Sequence, residues 1–185
     1  MMKEIIADAD ERMQKSVASL DEAFKRIRTG RAHPSILDSV MVPYYGSDTP
    51  LNQLANINVE EGRSLLISPW EKKLISDIEK AIMRSDLGLN PSNNGDTIRV
   101  PMPALTEETR KEYTKQAKNE AENARVAIRN IRRDANSDLK ELEKAKEISE
   151  DDHRRAEDQI QKLTDKYIAA VEAAYQVKES DLLSI

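Results

Sequence analysis

The chain contains no cysteine among its 185 residues, so disulfide bonds, thiolate catalysis and cysteine-based metal sites are excluded. Its two histidines, His33 and His153, lack the spacing of metal ligands, and His153 is expected to be solvent-exposed. No apolar run approaches the roughly 18 residues that a membrane helix needs. From Met1 to Asp8, charges interrupt the apolar residues too early for a signal peptide. We therefore expect a cytoplasmic protein without a membrane partner.

The sequence also offers little for catalysis. Its many carboxylates fall on the polar faces of predicted helices, where they favour solvation rather than paired acid and base chemistry. Gly88 and Gly95 do not form a loop that could cradle a phosphate. We expect no enzymatic activity, no cofactor and no metal.

Glycine and proline are absent from both ends of the chain. All five glycines and seven prolines lie between Gly30 and Pro103. The segments before and after this window, of about 29 and about 80 residues, therefore lack both helix breakers. This distribution predicts a discontinuous helical domain formed by residues 1–30 and 104–185. Residues 31–103 form an inserted α/β domain.

Three segments of the helical domain carry apolar stripes with heptad spacing. The stripes are Ile6, Met13, Val17, Leu20, Phe24 and Ile27; Ala117, Ala121, Ala124, Ile128, Ile131, Ala135, Leu142 and Ala145, with Asp138 in one slot; and Ala156, Ile160, Leu163, Tyr167, Ala170, Ala174 and Val177. Gly30 suits the end of the first helix, Thr106 the start of the second, and Ser149 to Asp152 a capping box for the third. The short connection between residues 146 and 149 favours neighbours within one chain over an assembly of separate chains. We expect a monomer with an elongated antiparallel three-helix bundle.

The inserted domain has the composition of a small α+β unit. Its predicted strands are Ile36–Val42, Asn56–Val59, Ser64–Ser68 and Thr97–Val100, and its predicted helix runs from about Glu71 to Ser85. Trp70 and the Tyr44-Tyr45 pair belong either to its core or to its surface. The chain crosses between the domains twice, and the residues of a predicted hinge there are Gly30, Arg31, Pro101, Pro103 and Ala104. A fixed interface without functional motion is the alternative.

One face of the second long helix is basic although the chain carries a net charge of -5. The residues of this basic strip, which fall within a sector roughly 80° wide, are Lys111, Lys118, Arg125, Arg129, Arg132, Asn136 and Lys140, with Arg133 at the edge. Glu122 and Glu143 interrupt it. Guanidinium groups suit contact with phosphates and bases, which favours RNA as a ligand. A solvated face with salt bridges within the helix is the alternative.

Five segments together resemble the bacterial ribosome recycling factor family: KRIRTGR at residues 25–31, Tyr44-Tyr45-Gly46, SDLGLNP at 85–91, IRVP at 98–101 and RVAIRNIRRDAN at 125–136. The likeness spans nearly the entire chain. It implies a three-helix bundle with a smaller α/β domain, and a factor that binds the 70S ribosome after peptide release. It also implies that elongation factor G, with GTP, acts on the bound factor to split the subunits.

The resemblance further implies which residues meet the ribosome. In the family, the arginines that match Arg129, Arg132 and Arg133 hold large-subunit ribosomal RNA, and those that match Arg28 and Arg31 are also implicated. Because the partner factor hydrolyses GTP, this chain needs no active site. The competing hypothesis is a helical adaptor or RNA-binding protein that does not act on ribosomes, in which case the basic residues would serve solubility.

Overall fold

The computed structural model describes residues 1–183 as two compact units. The helical unit comprises Met1–Thr29 and the described residues from Glu107 onward, and the sheet unit comprises Gly30–Thr106. In chain order the elements are α1 (Met2–Lys25), β1 (Met41–Tyr44), β2 (Ser47–Pro50), α2 (Leu51–Leu54), β3 (Ala55–Glu60), β4 (Ser64–Pro69), α3 (Ile75–Arg84), β5 (Ser92–Asn93), β6 (Ile98–Pro101), α4 (Glu107–Lys144) and α5 (Glu150–Leu183). The predicted α+β class is confirmed.

The three long helices form a bundle in which each helix packs against the other two. Arg12 of α1 contacts Asp134 of α4, whereas Leu20, later in α1, lines a groove with Glu120, earlier in α4. These two helices are therefore antiparallel. The turn at residues 145–149 makes α4 and α5 antiparallel as well, so α1 and α5 run in the same direction.

The buried stripe of each helix follows the predicted segments, but its register differs from a heptad. In α5 the buried residues are Ala156, Ile160, Thr164, Tyr167, Val171, Tyr175 and Leu182. Val177, a predicted core residue, is 63% exposed. In α4 the heptad pattern places Asp138 on the buried face, but its neighbour Leu139 is buried instead. Ala145, a predicted core residue, is exposed beyond the end of the helix. A straight helix has 3.6 residues per turn, so a strict heptad pattern drifts off the buried face along 34 residues.

The ends of the helices test the predicted capping signals. The capping box of α5 is confirmed, because the amide of Asp152 donates to Ser149 Oγ at 3.0 Å and the amide of Ser149 donates to Asp152 Oδ2 at 3.5 Å. The predicted end of α1 at Gly30 is wrong, since the helix ends at Lys25. The chain then continues in a tighter turn, in which the amides of Arg26 and Ile27 donate to the carbonyls of Ala23 and Phe24, three residues earlier. The side chain of Ile27 is buried.

The sheet unit contains a four-stranded antiparallel sheet in the order β3-β4-β6-β5 and a separate β1-β2 hairpin. The predicted strand at Ile36–Val42 is wrong in its first half, because Pro34–Leu37 forms a 3-10 turn and β1 begins at Met41. A second 3-10 turn, Lys72–Leu74, precedes α3. The amphipathic helix α3 buries Ile75, Ile78 and Ile82, which join the core of this unit.

None of the helices within residues 1–183 combines the length and apolarity needed to cross a membrane.

Candidate nucleic-acid interface

The basic strip lies on α4 beside the buried stripe of the helical unit. Successive residues of a helix are about 100° apart, so the strip flanks the alanine-rich stripe that faces the bundle core. Arg125 reaches from this flank to Glu172 of α5, with Nη1 2.9 Å from Glu172 Oε1. The strip therefore runs along the edge where α4 adjoins α5.

Arg125 acts within the fold rather than as a free cation of the strip. Its Nε donates to Glu122 Oε2 at 3.2 Å while its Nη1 donates to Glu172, and its side chain is only 21% exposed. Tyr175 of α5 is buried close by, and burial together with its hydrogen bond to Glu179 raises the pKa of this phenol to about 12. Arg125 thus ties α4 to α5.

The arginines further along the strip are less engaged than Arg125. Arg129 lies near Glu122, with Nη1 3.8 Å from Oε1, and Arg133 donates to the side-chain oxygen of Asn130 at 3.4 Å. Arg132 makes no hydrogen bond or ion pair with any residue in the described part of the chain, and it is partly exposed. Arg132 is consequently free to bind an anion without breaking an interaction of the fold.

The other predicted RNA-binding residues lie outside the long helices. Arg28 follows α1 in the helical unit, where its side chain is exposed and makes no hydrogen bond or ion pair with residues 1–183. Arg31 is exposed at the start of the sheet unit and does have an interaction partner. The structure therefore brings Arg129, Arg132 and Arg133 together on one helix, and it places Arg28 and Arg31 in different units.

The predicted hinge residues differ in their backbone conformation. Gly30 has φ 73°, a left-handed conformation that favours glycine. Pro101 is the last residue of β6, and Pro103 and Ala104 lie in the irregular segment before α4. These features are the local setting of the crossings, and a hinge there stays a prediction.

His153 is not the solvent-exposed residue that the sequence suggests. Its side chain is 14% exposed, with Nδ1 2.5 Å from Glu143 Oε2 and Nε2 2.9 Å from Glu157 Oε1. The hydrogen bond to Glu143 raises the pKa of His153, with a further contribution from Glu157, while burial opposes them. Because Glu143 belongs to α4 and Glu157 to α5, the His153 ring holds the two helices together beside their connecting turn.

Two aromatic residues of the sheet unit are on its surface. Tyr45 is 75% exposed and Trp70 is 67% exposed. Tyr45 receives a hydrogen bond from Lys73 Nζ at 2.6 Å and packs edge-to-face against Tyr44, with the ring centroids 4.5 Å apart. The alternative of a core position is therefore wrong for Tyr45 and Trp70, whereas Tyr44 is partly buried against the core.

Within residues 1–183, no group of three or more histidine or acidic side chains is arranged to hold a metal ion.

Comparisons with known proteins cover the whole chain. The model of the ribosome recycling factor family matches residues 20–183. The ribosome-recycling factor of Marinomonas sp. (strain MWYL1) is 68% identical over 185 residues, which are 100% of both chains. That of Alcanivorax borkumensis is 61% identical over the same length, again with 100% of both chains covered.

Solved structures show the same similarity. A solution structure of a ribosome recycling factor is 38% identical, with a TM-score of 0.77 and coverage of 100% of this chain and 98% of that one. A second structure, which describes models for the T. thermophilus ribosome recycling factor and the E. coli elongation factor G bound to the E. coli post-termination complex, is 45% identical. Its TM-score is 0.69 and 99% of each chain is covered.

The fold and the full-length similarity define the class of the protein, a translation factor rather than an enzyme. The chain belongs to the ribosome recycling factor family.

Proposed function

We propose that this chain binds the ribosome after termination and, with elongation factor G and GTP, separates the subunits and releases mRNA and tRNA for a new round of translation. The full-length similarity to ribosome-recycling factors is the observation that carries this proposal. The relative that is described with elongation factor G on a post-termination complex supports both partners. The factor works as a monomer in the cytoplasm, where ribosomes act, and elongation factor G hydrolyses the GTP.

The ligand of the helical unit is ribosomal RNA of the large subunit, bound by Arg132, Arg129, Arg133 and Arg28, with Arg31 contributing from the sheet unit. The free guanidinium of Arg132 supports this role, since a phosphate can bind there without competing with a carboxylate. Arg129 exchanges its long contact with Glu122 for RNA at little cost, because exposed ion pairs contribute only about 0–1 kcal/mol. Recognition is therefore of RNA backbone and shape.

The two units act as separate domains that move about the two crossings between them. Gly30 and Arg31 form one crossing, and Pro101, Pro103 and Ala104 form the other. The left-handed Gly30 permits backbone rotation there, whereas the prolines stiffen the return segment. Elongation factor G engages the sheet unit while the helical unit stays anchored on RNA, so that the motion is delivered to the subunit interface.

A subunit-splitting assay tests the proposal. Post-termination ribosomes are mixed with the chain, elongation factor G and GTP, and light scattering follows dissociation. We expect dissociation only when all three are present, with none when the chain or elongation factor G is omitted and none with a non-hydrolysable GTP analogue. Dissociation by elongation factor G and GTP that is unaffected by adding the chain would contradict the proposal.

A binding measurement separates ribosome recycling from the adaptor hypothesis. The chain should cosediment with isolated large subunits at low salt, and the fraction bound should fall steeply as salt increases, because phosphate contacts release counterions. An adaptor whose basic residues serve solubility would remain in the supernatant at all salt concentrations.

A further inference from the structure

A lysine near the end of α5 is bonded to the backbone just beyond the end of α1. Lys178 Nζ donates to the carbonyl oxygen of Ile27 at 2.7 Å, across 151 residues of sequence. The side chain of Lys178 is partly buried, and burial lowers the pKa of its ammonium group, while Asp181 opposes this shift. A lysine is seldom buried unless its charge has a partner, so this contact requires an explanation.

The carbonyl groups at the end of a helix explain why a cation is favourable there. The last carbonyls of a helix lack partners within the helix and carry the negative end of its dipole. After α1, the amide of Arg26 donates to the Ala23 carbonyl, and the amide of Ile27 donates to the Phe24 carbonyl. The Ile27 carbonyl in turn receives the Lys178 ammonium from another helix. With its side chain 6% exposed, Ile27 is held by both its side chain and its backbone.

The residue that follows Ile27 is Arg28, which is exposed and makes no hydrogen bond or ion pair with residues 1–183. We propose that Lys178 is a positioning residue that fixes the backbone at Ile27 and thereby presents Arg28 to ribosomal RNA. This inference rests on the proposed RNA-binding role of Arg28. Positioning adds affinity because a cation presented from ordered backbone loses less conformational entropy when it binds.

Amide hydrogen exchange of the free chain tests the anchor without a ribosome. In Lys178→Met the aliphatic stem is kept and the donor is lost, so we expect the amides of Arg26 and Ile27 to exchange about tenfold faster or more. Lys178→Arg keeps a donor and should restore most of the protection. Lys162→Met, which removes an exposed α5 lysine that makes no hydrogen bond or ion pair with residues 1–183, is the control and should leave both rates unchanged. Unchanged exchange in Lys178→Met would overturn the anchor, and Lys178→Leu, which also lacks a donor, repeats the test if the methionine variant unfolds.

A double-mutant cycle then tests positioning by measuring affinity for large subunits. In the unmodified chain, Arg28→Ala should weaken binding several-fold. The same substitution should weaken binding by a clearly smaller factor in the Lys178→Met background, and by the full factor again in the Lys178→Arg background. Equal factors in all three backgrounds would overturn the positioning role even if exchange is faster. No effect of Arg28→Ala in any background would overturn the RNA-binding role of Arg28, and positioning with it, while the exchange result would still report whether the anchor exists.

Discussion

Replacing Arg132 with alanine should weaken RNA binding without affecting the fold. The Arg132 guanidinium makes no hydrogen bond or ion pair with residues 1–183, so its removal leaves no buried partner unsatisfied. We expect the free energy of unfolding to stay within about 0.5 kcal/mol of the unmodified value, as for other surface substitutions. A hydrogen bond to a charged group contributes about 1.5–3 kcal/mol, which corresponds to a loss of about tenfold or more in affinity for the large subunit.

The salt dependence of binding identifies the cause of that loss. Each phosphate contact contributes about 0.9 to the slope of log affinity against log salt for a duplex, and about 0.7 for single strands. Arg132→Ala should therefore reduce the steepness of this slope by about one contact, measured by fluorescence anisotropy of labelled chain with large subunits. Arg155→Ala on α5, which also removes one exposed arginine, is the matched control and should keep the full slope. The same slope and affinity in Arg132→Ala and the unmodified chain would refute the assigned role of Arg132.

Three further predictions concern the fold and the crossing. His153→Gln should lower the free energy of unfolding more at about pH 6 than at about pH 9. The pKa of His153 is raised above its ordinary 6.5, so the stabilisation by this residue is lost as pH rises through the folded-state pKa. Equal losses at both pH values in urea titrations would contradict this. Ile128→Ala removes a side chain with no exposed area at the bundle core and should cost about 2–5 kcal/mol in the same titrations, whereas Val126→Ala, at an exposed neighbour, should cost far less. Gly30→Ala places a Cβ on left-handed backbone and should cost about 1 kcal/mol, and a stability equal to the unmodified chain would show that this conformation is not required in solution.

The sequence predicts the three helices well because their signals are local. The absence of glycine and proline, the apolar periodicity and the Ser149 capping box all act within a few residues, and α4 begins one residue after the predicted cap at Thr106. The exact core of α5 could not be predicted, because heptad spacing and a straight helix diverge over its length and Thr164 satisfies its own hydroxyl by bonding to the Ile160 carbonyl. A buried threonine of this kind has no apolar signal.

The sheet unit is less predictable because its edge strands carry little apolar pattern. The hairpin strand Ser47–Pro50 has no fully buried residue, and Ser92–Asn93 consists of two exposed polar residues. Both strands exist because a partner strand supplies their hydrogen bonds. Ile36, by contrast, is apolar but does not belong to a strand, because it lies in the 3-10 turn Pro34–Leu37. At the start of this turn the imidazole of His33 accepts a hydrogen bond from the Ser35 amide.

The candidate interface, too, could be predicted only in part. The angular positions of the basic strip follow from helix geometry, and the interruption by Glu122 is visible in the sequence. The partners that decide which arginines are available are remote, as Glu172 lies 47 residues from Arg125. No local pattern indicates that Arg125 ties two helices together while Arg132 stays free, nor that Lys178 reaches the Ile27 carbonyl.

A cryo-EM map of this chain on the post-termination ribosome would show whether α4 binds ribosomal RNA. We expect the Arg132 and Arg133 side chains to lie within hydrogen-bond distance of large-subunit ribosomal RNA, with α4 facing the RNA along the edge it shares with α5. A map in which the chain is bound but this edge faces solvent, with RNA contacting another surface of the helical unit, would contradict this expectation.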